Sequence, residues 1–298
     1  MKHVQQKINV SERRACQVLG QARSTQRYEP QESDDEKDLI TRIHELVRDH
    51  PRFGYRRIAR LLRVEGWPVN VKRIYRLWRK EGLKVPKKQR KRRSLGTSDG
   101  GCIRHRAEFK DHVWSMDFIH DSTRHGKAFK SLVVLDEFTR ECLSLEADRS
   151  ITSDRVLDML VQLFVDRGVP KHLRCDNGPE FIAKSLRKHL ENTDIETLYI
   201  EPGSPWENGY VESFNSRLRD ELLNVEEFED LAEARWHLER YRVAYNTVRP
   251  QSSLGYQTPT AFAERCATSA SVATLPSLQR HTVPPQETPE TITQTQLS

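Results

Sequence analysis

The chain has 298 residues, of which 36% are hydrophobic, and it carries 49 Lys and Arg against 43 Asp and Glu. This length allows two domains, and no long apolar run or signal-peptide pattern indicates a membrane or secreted protein. The five cysteines, at positions 16, 102, 142, 175 and 266, have neither zinc-finger nor redox spacing, so we expect reduced thiols in a cytoplasmic protein.

The charge is divided unevenly along the chain. Residues 1–100 hold 26 basic and 12 acidic residues, a net charge of +14, whereas residues 101–298 have a net charge of −8. A basic first third followed by an acidic remainder predicts a nucleic-acid-binding head on a separate body. A charged, solvated surface without a partner is the alternative.

The first 30 residues are interpreted as a short helical leader. Segment 10–20 has the pattern of a helix that stops at Gly20, and together with Tyr28 it resembles the end of a helix-turn-helix. A loosely packed leader is equally consistent with so short a segment. Residues 31–36 form an acidic linker.

Residues 36–93 are predicted to form a helix-turn-helix-like DNA-binding domain. Apolar residues recur at helical spacing in two helices before a Gly-Trp-Pro break at 66–68. Asn70 can cap a third helix over 71–81, and Gly82 provides a left-handed stop. A basic helix after a short turn is what a major-groove reader needs. This helix exposes five basic residues that we predict to bind DNA: Lys72, Arg73, Arg76, Arg79 and Lys80.

The domain ends in a basic run at 87–93, predicted to be a flexible arm on the phosphate backbone of DNA. The alternative for the whole segment is a basic helix that merely faces solvent. A polar, glycine-containing linker follows at 94–107.

The larger part of the chain, 108–266, is predicted to be an α/β domain. Strands are predicted at 113–120, 129–138, 141–147, 172–175 and 197–200. Helices are predicted at 153–167 with Ser153 as its cap, at 184–190, from 205 onward, and as a last helix at 231–245. Three antiparallel strands followed by strand–helix alternation indicate a mixed five-stranded sheet with flanking helices. The Thr-, Ser-, Gln- and Pro-rich segment 267–298 is predicted to be a disordered tail.

Three carboxylates form a candidate metal site. Asp117 lies in the first predicted strand, Asp176 follows the fourth, and Glu212 lies in a helical pattern with 35 residues between it and Asp176. Unpaired carboxylates in one cleft repel each other and are costly to bury, so such a site needs a cation. Magnesium suits oxygen ligands, and two ions about 3.5–4 Å apart clamp the oxygens of a phosphodiester displacement.

Other acids lie near the same strands, and chemistry alone leaves the choice open. Asp136 and Glu137 fit a hairpin turn after the second strand, and Glu207 competes with Glu212 for the helical position. The complete set of competing acids is Asp121, Asp136, Glu137, Asp148, Glu180 and Glu207.

A set of motifs gives this pattern a family. The core carries W-S-M-D-F at 114–118, V-V-L-D-E-F-T-R-E at 133–141, C-D-N-G-P-E-F at 175–181 and E-S-F-N-S-R-L-R-D-E-L at 212–222. Two further motifs are H-P-R-F-G-Y-R-R-I at 50–58 and Y-N-T-V-R-P-Q-S-S-L-G-Y at 245–256. In this order and spacing, up to about residue 265, the chain resembles the OrfB transposases of the insertion-sequence-three family, which are related to retroviral integrases.

The resemblance implies a ribonuclease-H-like integrase core in which Asp117, Asp176 and Glu212 are catalytic residues and ligands of Mg²⁺ or Mn²⁺, with two ions in the site. It also implies that Arg219 holds a phosphate of the element end, with Arg217 as the competing choice. The residues Trp206, Asn208 and Asn215 are further candidates for the same cleft, and 248–256 is expected to pack against the core.

The function implied is that of a DNA transposase of a bacterial insertion sequence. Family members bind terminal inverted repeats, cut one strand at each end and join the freed 3′ hydroxyl to another phosphodiester. Expected partners are element and target DNA, further copies of the chain on DNA, and an upstream OrfA product, since no heptad run for dimerisation is present here. The expected location is the bacterial cytoplasm, at the nucleoid, without a membrane.

Two alternatives remain open from the sequence. A ribonuclease-H-type nuclease would share the carboxylates, although the basic head argues against it. A non-catalytic, transposase-derived DNA-binding regulator would share the head, although the intact trio of acids argues against it.

Overall fold

The computed structural model describes residues Lys7, 10–28, 35–85, 106–200 and 208–273, with side chains up to residue 267. The chain divides into two compact units, Met1–Lys91 and Arg92–Ser298. Within the described ranges, no helix combines the length and apolar character needed to cross a membrane. The predicted basic arm at 87–93 and most of the predicted linker lie outside these ranges.

The first unit is all-helical. Its leader contains α1 (Glu12–Val18), which Ser11 caps, and α2 (Arg23–Arg27). Three longer helices follow: α3 (Glu36–Asp49), α4 (Tyr55–Val64) and α5 (Val71–Lys80). Their apolar stripes meet in one core whose fully buried members include Leu39, Ile43, Ile58, Leu62, Ile74 and Leu77.

The signals that delimit α5 are confirmed. The Asn70 side chain accepts a hydrogen bond from the Lys72 amide at 2.9 Å, which satisfies a donor of the first turn. Gly82 has φ of +65°, a conformation that side chains disfavour, and it ends the helix. The three longer helices therefore form one body, and its last helix carries the five basic residues predicted to bind DNA.

The second unit is built on a five-stranded mixed sheet in the order β3-β2-β1-β4-β5. Its strands are β1 (Val113–Ser122), β2 (Ala128–Asp136), β3 (Cys142–Asp148), β4 (His172–Cys175) and β5 (Glu196–Tyr199). The first three pair antiparallel, whereas β4 runs parallel to β1 and to β5. This is the sheet that the ribonuclease-H-like prediction requires, so the predicted fold class is confirmed.

Helices cover both faces of the sheet. On one face lie α6 (Ser153–Arg167) and α7 (Lys184–Asn192), packed against Trp114 and Met116 of β1. On the other face lie α8 (Gly209–Leu218) and α9 (Leu231–Thr247), packed against Ile119. Because side chains alternate along a strand, Asp117 shares the α8 face with Ile119.

Several local predictions differ from the structure. The cap of α6 is Thr152 rather than Ser153, since the Thr152 side chain accepts a hydrogen bond from the Arg155 amide. The predicted helix start at 204–205 lies outside the described residues, and α8 begins at Gly209. A further helix, α10 (Pro259–Ala273), extends into the segment predicted to be disordered from 267, where small Ala and Ser residues permit a helix.

Candidate active site

Asp117 lies in the middle of the central strand, and its carboxylate is held by two donors. The Phe118 amide donates to its Oδ1 at 2.8 Å, and the Asn215 side chain on α8 donates to its Oδ2 at 2.8 Å. The second bond links the central strand to the helix that covers it. Asp117 thus has a defined orientation toward α8.

Asp176 follows directly after β4, on the strand next to β1. The parallel register pairs Ser115 with Arg174, and continuing it by two residues brings Asp176 alongside Asp117 on the same face. The Gly178 amide donates to Asp176 Oδ1 at 2.9 Å, as expected for the turn at Asn177-Gly178. A Cβ atom on Gly178 would lie only 2.9 Å from that oxygen, so any larger residue here would displace the Asp176 carboxylate.

Glu212 lies in the first turn of α8 and is exposed. Asn215, which contacts Asp117, lies three residues after Glu212. Residues three apart lie on one helical face, so Glu212 and Asn215 share a face of α8. At the start of the helix, the buried Asn208 donates to the Met116 carbonyl of β1 at 3.3 Å. Two asparagines therefore fix the helix of Glu212 against the strand of Asp117.

The three carboxylates interact electrostatically. Burial, together with the negative charges of Asp176 and Glu212, raises the pKa of Asp117 to about 6 against two opposing hydrogen bonds. In the described ranges, none of the three carboxylates forms an ion pair with Lys, Arg or His. No three His, Cys, Asp or Glu side chains among the described residues lie close enough to hold one metal ion. The trio is a set of neighbours rather than a closed ligand shell.

The Asp176 turn is anchored on the opposite face of the sheet. Phe181 stacks on Phe118 with ring centroids 4.9 Å apart, and Lys130 Nζ lies 4.6 Å from the Phe118 ring centroid. Lys130 also pairs with Glu180 at 2.5 Å and lowers the pKa of that carboxyl. Glu180 is therefore neutralised by Lys130, unlike the three acids of the trio.

The hairpin-turn interpretation of Asp136 and Glu137 is confirmed, since Asp136 ends β2 and Glu137 lies in the turn to β3, but both side chains are buried rather than exposed. Glu137 pairs with Arg174 at 2.9 Å. Asp136 accepts a hydrogen bond from Thr139 at 2.8 Å, and Arg167 lies 3.5 Å away. These partners neutralise the two acids, as burial requires.

The remaining competing acids have other surroundings. Asp148 pairs with Arg235 at 2.8 Å, and Asp121 accepts a hydrogen bond from the Ser122 amide. Glu207 and Trp206 lie outside the described residues.

Arg219 and Arg217 separate on the helix as predicted. Arg219 is exposed and donates to the His120 carbonyl at 2.9 Å, three residues beyond Asp117 on β1. Arg217 instead contacts buried Tyr245; burial raises the pKa of that tyrosine, while the hydrogen bond from Arg217 lowers it. Arg219 is thus an exposed cation beside the strand that carries Asp117.

The segment 248–256 packs into the core. Arg249 is 3% exposed and pairs with Glu221 at 2.5 Å. A buried arginine with its carboxylate partner serves the fold, so the expectation that this motif packs against the core is confirmed.

The five basic residues of α5 have unequal surroundings. Arg73 pairs with Asp35 at 2.7 Å, while Arg76 and Lys80 both reach Glu36, at 2.8 and 3.3 Å. The other two, Lys72 and Arg79, are exposed and form no ion pair within the described residues. Local sequence patterns could not predict this division, because the acids lie about 40 residues before their partners.

Comparisons with known proteins agree with this architecture. A model described as "HTH-like domain" matches residues 32–93, and two models described as "Integrase core domain" match residues 108–205 and 193–259. The chain is 40% identical over 254 residues to the insertion element IS476 uncharacterized 39.2 kDa protein of Xanthomonas euvesicatoria, covering 85% of this chain and 72% of that protein. It is 38% identical to the insertion element IS407 uncharacterized 31.7 kDa protein of Burkholderia multivorans, covering 89% of this chain and 95% of that protein.

More distant similarity extends to a named transposase. The chain is 26% identical over 240 residues to transposase InsD of insertion element IS2 from Escherichia coli, covering 76% of this chain and 79% of that protein. Among solved structures, the HTLV-2 integrase catalytic core domain is 20% identical with a TM-score of 0.43, covering 53% of this chain and 99% of that one. The two integrase-core matches and the insertion-element relatives show that the chain belongs to the insertion-sequence-three family of DDE transposases, which are polynucleotidyl transferases.

Proposed function

We propose that this transposase binds the terminal inverted repeats of its element and cuts and joins DNA at Asp117, Asp176 and Glu212. The observation that carries the proposal is the electrostatic coupling of three carboxylates, from β1, the turn after β4 and α8, none of which forms an ion pair with a described residue. The competing acids that the structure describes have other partners. Glu180, Glu137 and Asp148 form ion pairs, Asp136 is buried beside Thr139 and Arg167, and Asp121 accepts a hydrogen bond from the Ser122 amide. The trio is therefore the acidic site open to a metal ion.

The residues present fit a divalent metal ion, which enzymes of this family use. All three side chains offer hard oxygen ligands, and the raised pKa of Asp117 reflects burial first and then the negative charges of Asp176 and Glu212, which a cation would neutralise. The side-chain carbonyl oxygens of Asn208 and Asn215 are also buried without a hydrogen bond in the described structure. We propose Mg²⁺ or Mn²⁺, with two ions held by the three carboxylates after their side chains have moved closer.

A bound metal ion would activate a water or 3′ hydroxyl and neutralise charge at the phosphate. The protein groups supply orientation: Asn215 and the Phe118 amide hold Asp117, and the Gly178 amide holds Asp176. No side chain acts as a nucleophile, so we propose no covalent protein–DNA intermediate. The same site would serve strand cleavage and strand transfer.

DNA contacts are proposed for both units. Arg219 is exposed beside β1 and suits a phosphate of the element end. In the first unit we propose contacts from α5, the helix that carries the basic residues predicted to bind DNA. We further propose that the chain acts as a homo-oligomer on DNA in the bacterial cytoplasm, together with an upstream OrfA product.

The experiment uses the purified full chain, Mg²⁺ and a labelled duplex of the element's own end. We expect a nick at the repeat boundary and joined strands, both abolished in Asp176→Asn and Glu212→Gln. Asp121→Asn, an acid of the same strand as Asp117, is the matched control and retains activity. Nicking without joining would favour a nuclease. Binding of the repeats without any cleavage, also in the OrfA fusion, would favour a regulator.

A further inference from the structure

The exposed side of α5 consists of two neighbouring stripes. We call Arg73, Arg76 and Lys80 the paired stripe, since their spacing of three and four residues aligns them along the helix. We call Lys72, Tyr75 and Arg79 the contact stripe, which has the same spacing and lies one residue earlier. The structure gives the two stripes different partners.

The paired stripe is tied to the start of α3. Arg73 forms two hydrogen bonds with Asp35, at 3.0 and 2.7 Å, and its side chain is 24% exposed. The Glu36 side chain is only 6% exposed, and Arg76 and Lys80 both point to it. A buried carboxylate without a cation is costly, so these two cations cannot both leave Glu36 for a phosphate.

The contact stripe borders an open groove. Tyr75 is 44% exposed, and its ring lies 4.8 Å from that of Tyr55 at the start of α4. Together with Trp78 the two tyrosines line a groove of about 1010 Å³, whose edge carries the cations Arg79 and Lys84. The described lining residues are aromatic, aliphatic, glycine or cationic and include no acid, so the groove suits a nucleic acid, which combines phosphates with flat bases.

We propose that the contact stripe, with Tyr55 and Lys84 across the groove, is the DNA-binding surface of this unit, and that the paired stripe stabilises the fold instead. The inference rests on the proposed function, because it assigns DNA to this unit. Lysine and arginine pair with phosphates, and tyrosine hydroxyls donate hydrogen bonds to phosphate oxygens. Val85 lines the groove, and the basic run 87–93 follows it closely in the sequence, so the positive surface and the basic run are neighbours along the chain.

We propose duplex DNA as the ligand of this surface, because its phosphates are negatively charged and the surface carries Lys72, Arg79 and Lys84. Each phosphate that a cation neutralises releases counterions, so the logarithm of the binding constant falls with the logarithm of salt concentration. The slope of that line is proportional to the number of phosphate contacts. A general loss of protein stability does not change this number. This slope therefore separates a contacting cation from a structural one.

The test measures fluorescence anisotropy of the full chain with the element-end duplex over a series of salt concentrations. We expect Lys72→Gln and Arg79→Gln each to reduce the salt slope by about 0.9 and to keep the wild-type melting temperature. The double variant Asp35→Asn with Arg73→Gln, which keeps a neutral hydrogen-bonding pair, is the matched control. We expect it to keep the wild-type slope.

Two results would overturn the inference. One is a wild-type slope in both contact-stripe variants, and the other is an equal loss of slope in the double variant. An unrelated duplex measured in parallel separates this inference from the proposed function. A wild-type chain that binds the element end no better than that duplex contradicts repeat recognition, whereas the slopes on either duplex still decide between the stripes.

Discussion

Replacing Asp117 by asparagine should stabilise the metal-free protein while abolishing catalysis. Burial and two neighbouring carboxylates raise the pKa of Asp117 from 3.8 to about 6, so ionising it in the folded protein is unfavourable. One pKa unit corresponds to about 1.36 kcal/mol, which gives roughly 3 kcal/mol for this group at neutral pH. Asp117→Asn removes the charge and keeps the size of the side chain.

The sign of the pH dependence follows from the raised pKa. The favourable contribution of protonated Asp117 is complete below 3.8 and is lost as the pH rises through about 6. We therefore expect the variant to exceed the wild type in free energy of unfolding by up to about 3 kcal/mol at pH 7.5, and by nothing at pH 3.5. With a divalent ion bound, the wild type should gain stability relative to the variant, since the ion stabilises the ionised carboxylate of Asp117.

Urea unfolding of both proteins in EDTA, over a pH series, measures this difference. Asp121→Asn controls for the loss of any carboxylate from the same strand. A second series with Mg²⁺ should stabilise the wild type and leave Asp117→Asn nearly unchanged. A variant less stable than the wild type at every pH, in the absence of metal, would refute the electrostatic reasoning.

Three further changes test how the site and the core are held. In Gly178→Ala the new Cβ would lie 2.9 Å from Asp176 Oδ1, so we expect strand joining to fall about 10- to 100-fold with little change in unfolding free energy; unchanged joining would contradict this. Lys130→Met removes a partly buried ion pair and should lower the free energy of unfolding, measured with urea, by about 1–2 kcal/mol. An unchanged free energy of unfolding would show that the pair is only a surface contact. Arg249→Met leaves Glu221 buried without its cation and should cost about 3–5 kcal/mol, whereas a loss below 1 kcal/mol would show that water reaches Glu221.

Local patterns were sufficient to predict most elements of the fold. Helical spacing and an Asn70 cap located α5, and apolar runs located the central strands, because these signals lie within a few neighbouring residues. The helix Pro259–Ala273 was missed because its sequence is rich in small polar residues and shows little periodicity. Topology and the choice of the three acids came from family resemblance.

Contacts between distant residues could not be predicted in the same way. Glu137 was correctly placed in a turn, but its burial against Arg174, 37 residues later, was not predicted, because acids next to strands usually face solvent. The pairing of Glu36 with α5 was missed for the same reason. Asn215 was named only as a cleft candidate, and its hydrogen bond to Asp117 depends on how α8 packs on β1.

The most direct test of the central claim is strand joining by Asp176→Cys in Mg²⁺ and in Mn²⁺. A thiolate ligand is a poor partner for Mg²⁺ and a better one for softer transition metals. If Asp176 binds the catalytic ion, the variant should be inactive with Mg²⁺ and recover joining with Mn²⁺, while the wild type joins with both. Equal activity of the variant in the two metals would contradict a metal-ligand role for Asp176.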